Sequence, residues 1–134
     1  MLKKSVLKTE NLDSADTSIW IKFFLQSNFE GNQTFEECLD SLSVVAVSVV
    51  FGELLQGVKS DKEEKIILEF WNSLPKIDEV NLFIEAGKIS HNHKLFNKGV
   101  GLLDCYILAA ARQNKLEIWS LDKKLLQANQ WLST

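Results

Sequence analysis

Val44 to Val47 is a β-branched run broken only by Ala46, and Ser48 with the helical pattern VVFGELLQGV follows at once. A segment apolar at every position suits a strand buried on both faces, which means a parallel sheet covered by helices. A strand that hands over directly to a helix carries the same message. This one junction restricts the chain to an α/β fold, and the remaining segments agree with it.

Before it, Asn11 to Ala15 reads as a short strand, Ser18 to Gln26 as a helix with Ile19, Trp20, Phe23 and Phe24 on one side, SNFEGNQT as a loop and Phe35 to Ser41 as a further short helix. Residues 1 to 10 read as a ragged start. Ser48 is placed to cap the helix after the valine run. Beyond it, Lys62 to Leu74 spaces Ile66, Ile67, Phe70 and Trp71 along one side, and Pro75 stops that helix. A short strand at Lys76 to Glu79 leads to Asn81, read as the cap of a helix reaching about Asn97. KGVG then precedes a helix from Leu103 to Asn114, LEIWS (116 to 120) reads as a strand, and Asp122 opens a last helix.

At 134 residues the chain has the size of one domain, spanning 1–134, and can bury roughly two thirds of its unfolded surface. The longest apolar run, Val44 to Phe51, is too short to span a bilayer, so no membrane partner is expected. Lys3 and Lys4 precede no apolar core with a cleavage site, which argues against a secretory signal. Cys38 and Cys105 form no metal-ligand spacing and read as reduced thiols of a cytoplasmic protein. The net charge of −3 does not advertise a nucleic-acid binder, so a polyanionic substrate needs a local basic surface or a bound cation.

In open parallel α/β sheets, ligands bind beyond the carboxyl ends of the strands. Asp16 lies at the first such junction, Glu53 a turn and a half into the helix after VVAV, Asp104 at the start of the helix after KGVG, and Asp122 just past LEIWS. Taken singly, Asp104 and Asp122 read as first-turn residues that offset a helix dipole. Glu53 has no such reading, because Val49, Val50, Phe51, Leu54 and Leu55 surround it and a lone carboxylate there is costly. Convergent acids raise one another's pKa or demand a cation, and an all-oxygen set suits Mg²⁺ or Mn²⁺.

The stretches DTSIWI (16 to 21), GELLQG (52 to 57), LLDCYILAAA (102 to 111) and SLDKKL (120 to 125) resemble, in order and spacing, those of PIN-domain ribonucleases, specifically VapC-type toxins of toxin–antitoxin pairs. The resemblance implies a PIN-like three-layer α/β/α sandwich with a short, mainly parallel sheet. It carries the metal-binding and catalytic acids onto Asp16, Glu53, Asp104 and Asp122. It makes Thr17 and Ser18 the hydroxyls that orient the first aspartate, with Ser120 where threonine is more usual. It further implies Mg²⁺-dependent cleavage of RNA (Mn²⁺ substituting), a homodimer, and neutralisation by a cognate antitoxin. The chain departs from the pattern in having ENLDSA before Asp16, where the family has a hydrophobic strand.

Other acids and histidines read more simply. Asp13 is expected in a turn or cap, and HNH (91 to 93) as surface histidines, since residues two apart on a helix face different ways. KSDKEEK (59 to 65) reads as a solvated helix start. The alternative function is a PIN-fold protein that binds RNA or antitoxin without cleaving. A receiver-type phosphoacceptor ranks lower, since it needs an aspartate near residue 55, where Glu53 stands. The apolar faces of IWIKFFL and of Ile66 to Trp71 are expected to serve a dimer and a groove for the antitoxin.

Overall fold

The computed structural model describes residues 12–25 and 30–133, so Asn11, Gln26 and the first residues of the SNFEGNQT loop lie outside it. The fold is mixed α/β and mostly helical. In chain order it comprises β1 (Asp13–Ala15), α1 (Thr17–Leu25), α2 (Asn32–Asp40), α3 (Ser48–Gln56), α4 (Asp61–Ser73), α5 (Leu82–His93), a 3₁₀ turn (Phe96–Lys98), α6 (Leu102–Asn114), β2 (Glu117–Trp119) and α7 (Lys123–Ser133).

β1 and β2 pair in parallel, with Asp13 opposite Glu117, Ser14 opposite Ile118 and Ala15 opposite Trp119. Single parallel bridges join Asp13 to Val44 and Ala46 to Lys76. Four parallel tracks therefore lie side by side, in the order 117–119, 13–15, 44–46, 76. The expected strand at Val44–Val47 is thus reduced to two isolated bridge residues, Val44 and Ala46, and that at Lys76–Glu79 to one, Lys76. The valine run is nevertheless buried as expected, with Val44, Val45, Ala46 and Val47 no more than 2% exposed. Its amides serve both sides in turn: Val45 N donates to Asp13 O and Ala46 N to Pro75 O, each at 2.9 Å. The neighbouring tracks are simply too short to extend the ladder. Asp13, which falls within the expected strand Asn11–Ala15 but also reads as a turn or cap residue, is a strand residue.

The helices gather in two connected groups. α1 and α4 both pack on α3, α5 and α7 both pack on α6, and α3 meets α6. At the centre of the first group, Trp20 is fully buried among Phe23, Phe24, Phe35, Phe51 and Phe70, with ring centroids 5.2 to 6.0 Å away. Most of the apolar face of IWIKFFL is therefore spent on the core, and only Ile21 and Leu25 stay exposed.

Helix ends follow local chemistry. Ser60 Oγ accepts from Glu63 N at 3.1 Å, while Glu63 Oε1 accepts from Lys59 N at 2.8 Å, a reciprocal cap that makes KSDKEEK the helix start it was read as. Leu74 is extended, as a residue before proline must be, and α4 stops. α5 ends at His93 rather than near Asn97. Lys94 takes a left-handed conformation with φ 54°, Leu95 N donates to Ser90 O and Lys94 N to His91 O. That closing motif turns Leu95 into the core, where it is fully buried.

Trp20 is the largest fully buried side chain, so Trp20→Ala is expected to cost about 3–5 kcal/mol of stability in urea denaturation. Trp20→Phe is expected to cost much less, because the indole Nε1 has no hydrogen-bond partner among the described residues to lose.

Candidate metal centre

The site begins with the register of β1 and β2. Asp16 N donates to Trp119 O at 3.0 Å, which sets the first aspartate beside the residue that follows β2. Ser120 Oγ donates to Asp16 Oδ2. Ser18 Oγ donates to Asp16 Oδ1 at 2.5 Å, and Ile19 N reaches the same oxygen at 3.3 Å. The two serines are themselves held, since Ser18 Oγ accepts from Leu121 N at 3.0 Å and Ser120 Oγ from Asp122 N at 2.9 Å. Asp16 is 6% exposed and held from both sides.

Ser18 and Ser120 thus both donate to the Asp16 carboxylate. Thr17 does not orient Asp16. Its Oγ1 donates to Glu53 Oε1 at 2.6 Å, because the first turn of α1 packs on α3 and carries the hydroxyl toward that helix. Glu53 is thus a carboxylate with a protein partner. It is half-buried, with Oε1 engaged by the threonine.

Asp122 Oδ1 accepts from Lys124 N at 2.9 Å and Leu125 N at 3.3 Å, so it does cap α7, and its Oδ2 is left over. Asp104 lies half-buried in the first turn of α6. Burial pushes its carboxyl above the ordinary aspartate value of 3.8, and the charges of Asp122, Asp16 and Glu53, in that order, push it the same way. A hydrogen bond from the Gly101 backbone opposes them. Asp104 is thus close enough to the other three acids to feel their charge. Among the described residues no ion pair neutralises any of them, and no three carboxylates, imidazoles or thiols lie close enough to hold a metal ion as they stand.

The donor set still suits a hard divalent cation. Glu53 Oε2 and Asp122 Oδ2 make no hydrogen bond among the described residues, and Asp16 Oδ2 receives one donor where it can take two. The histidines take no part. His91 and His93 sit exposed at the end of α5.

One acid was missed. Glu79 follows the bridge at Lys76, and its two oxygens accept from Ser48 N at 3.0 and 3.3 Å. Its Oε1 also accepts from Ser48 Oγ and from the Tyr106 hydroxyl, each at 2.5 Å. Ser48 is therefore not the cap of α3. It is the first helical residue, and Glu79 caps the helix from another segment. Glu79 ties α3, which carries Glu53, to α6, which carries Asp104. The rule that located the other acids, a carboxylate just past a strand, applied equally to KIDE and would have found it.

The chain belongs to the PIN domain family, which matches residues 15–130. PIN domains are generally nucleases and typically depend on a divalent metal, so this is a nuclease-type fold that acts on nucleic acid. No curated protein matches the chain closely.

Two expectations follow. Because folding raises the Asp104 pKa, protonation is favoured in the fold. That contribution to metal-free stability is complete below the unfolded aspartate value of 3.8 and is lost as pH rises through the raised folded value. Melting temperature in EDTA is expected to fall over that window, and Asp104→Asn to flatten the dependence and stabilise the metal-free protein at neutral pH. Separately, Glu79→Ala leaves the Ser48 amide and the buried Tyr106 hydroxyl short of an acceptor. It is expected to cost about 1–3 kcal/mol in chemical denaturation.

Proposed function

We propose that the chain is a Mg²⁺-dependent endoribonuclease toxin of the VapC type, neutralised in the cell by a cognate antitoxin. One observation carries this reading. Three carboxylates from separate junctions bear on Asp104, and among the described residues no basic side chain is paired to any of the four, an arrangement that a bound divalent cation stabilises. Asp16, Glu53, Asp104 and Asp122 would hold the ion, with Mn²⁺ able to substitute. When bound, it supplies polarisation of a phosphoryl oxygen and a water acidic enough to attack phosphorus near neutral pH.

The chain's own residues prepare that site. Ser18 and Ser120 fix the rotamer of Asp16, and Thr17 fixes that of Glu53. Asp122 keeps one oxygen on its own helix and leaves the other without a hydrogen bond among the described residues. Residues 1–134 are taken as a single PIN domain of the cytoplasm; no helix among the described residues is long and apolar enough to cross a membrane.

An apolar groove of about 420 Å³ runs between α1, α3 and α4, lined by Ile21, Phe24, Leu25, Leu54 and Ile66, with Glu53 in its wall. An antitoxin segment with an apolar face fits there, and continuity with Glu53 brings such a segment to the acids. A homodimer is proposed through the exposed Val80, Phe83 and Ile84 at the start of α5, since most of the IWIKFFL face serves the core. The alternative, a PIN-fold protein that binds RNA or antitoxin without cleaving, is favoured by the separation of the acids, no three of which are in ligating proximity among the described residues.

Purified protein is expected to cleave RNA with Mg²⁺, to stop in EDTA and to resume with Mn²⁺. Asp16→Asn abolishes cleavage, and Ser120→Ala, which only loosens Asp16, lowers it about ten- to a hundredfold. RNA binding without cleavage under all metal conditions selects the alternative, and cleavage indifferent to EDTA and to Asp16→Asn refutes the enzyme reading.

A further inference from the structure

Charge is unevenly placed along this chain. Residues 30–69 hold nine acids against three lysines, whereas residues 88–124 hold seven lysines and arginines against three acids. Two of those three acids, Asp104 and Asp122, belong to the candidate metal centre. The basic half also carries the two junctions that lead into that centre, and there the structure joins cations to exposed aromatic rings.

The 3₁₀ turn and the loop after it lie along one stripe of α7. Lys98 Nζ stands 4.7 Å from the centroid of the Trp131 ring and donates to His93 O at 3.1 Å. At the next position, Gly99 has φ +84°, and a Cβ there would come within 2.9 Å of Lys124 Nζ. The Lys124 ammonium is therefore seated against the Gly99 backbone, in a place that glycine keeps open. Trp131 is 42% exposed, and Phe96 on the same turn is 80% exposed. Lys124 comes two residues after Asp122, and Trp131 lies a further seven along α7, roughly 10 Å at 1.5 Å per residue. Gly99 in turn precedes Asp104 by five residues. Cations a few residues in sequence from the acids, with exposed rings beside them, make the combination that holds a single strand: ammonium groups on phosphates and flat rings under unstacked bases.

We propose that this surface, the turn Phe96–Gly99 with the Lys124 and Trp131 stripe of α7, binds the single-stranded RNA that flanks the scissile phosphate. Lys98 and Lys124 contact phosphates, and Trp131 stacks on a base. The inference rests on the ribonuclease reading and adds to it where the substrate lies and that it is unpaired.

The test uses full-length protein carrying Asp16→Asn, which binds without cutting, and a fluorescein-labelled single-stranded RNA of about 12 nucleotides followed by anisotropy across a salt series. Lys98→Ala with Lys124→Ala is expected to weaken binding and to flatten the log–log salt slope by about 1.4, two phosphate contacts at ~0.7 each. Trp131→Leu is expected to weaken binding about tenfold with the slope unchanged. Lys62→Ala with Lys65→Ala on α4 should change neither. As a check free of substitutions, RNA should protect Lys98 and Lys124 from acetylation more than Lys62 and Lys65.

Unchanged affinity and slope, protection on α4 instead, or equal affinity for duplex RNA would each overturn the proposal. If the wild-type chain cleaves RNA with Mn²⁺ while these results hold, the surface is wrong and the ribonuclease reading stands. If the wild-type chain does not cleave but the Asp16→Asn protein binds as expected, the surface stands and the enzyme reading falls. Neither cleavage nor binding overturns both.

Discussion

The parallel register of Asp13 with Glu117 holds the acid edge together. In that register Ala15 lies opposite Trp119, so the next residues on the two tracks, Asp16 and Ser120, meet just past the end of the sheet. A shift of one residue would turn Asp16 to the other face and part it from the serine. Three residue pairs form the whole ladder between β1 and β2, and hydrogen bonds from Ser18, Ser120, Leu121 and Asp122 continue its work into the loops. The polar edge thus extends a sheet too short to position it alone.

Like charges oppose that arrangement. Asp104 feels the other three acids and its own burial, and only the Gly101 backbone offsets them locally. The strain is contained because the helices carrying the acids are fastened to one another by other residues. Glu79 fixes α3 to α6 through Ser48 and Tyr106, and the aromatic cluster about Trp20 fixes α1 to α3 and α4. The Tyr106 phenol is itself pushed above its usual range, first by burial and then by the Glu79 carboxylate that it faces. The cost of gathering four carboxylates is met by packing and hydrogen bonds between the helices that carry them.

Sequence reasoning reached the parts of this fold that depend on short-range chemistry. Pro75, the KSDKEEK helix start and the valine run all leave local marks, and each appears within a residue or two of its expected place. It failed where a distant segment supplied the partner. Ser48 looked like a cap because serine often is one, yet a carboxylate thirty-one residues away fills that role. Thr17 looked tied to its neighbour Asp16, yet helix packing sends it to Glu53, thirty-six residues on. Leu95 ended α5 early because the core took its side chain, which helical periodicity alone cannot foresee. The Lys98 and Lys124 surface was equally hidden, since the loop and helix that compose it meet only in the folded chain.

The hydrogen bond between Ser120 and Asp16 spans 104 positions of sequence. Every other support of the first aspartate is available as soon as α1 has formed, but this one and the Trp119 carbonyl arrive only with β2. A chain emerging from the ribosome therefore displays Asp16, Glu53 and Asp104 in turn while their edge of the sheet remains open. Contacts this remote in sequence form late, because the closure entropy of the intervening loop must first be overcome. On the proposed reading, a nuclease assembled in that order would stay inert beside the message that encodes it until its second strand has docked.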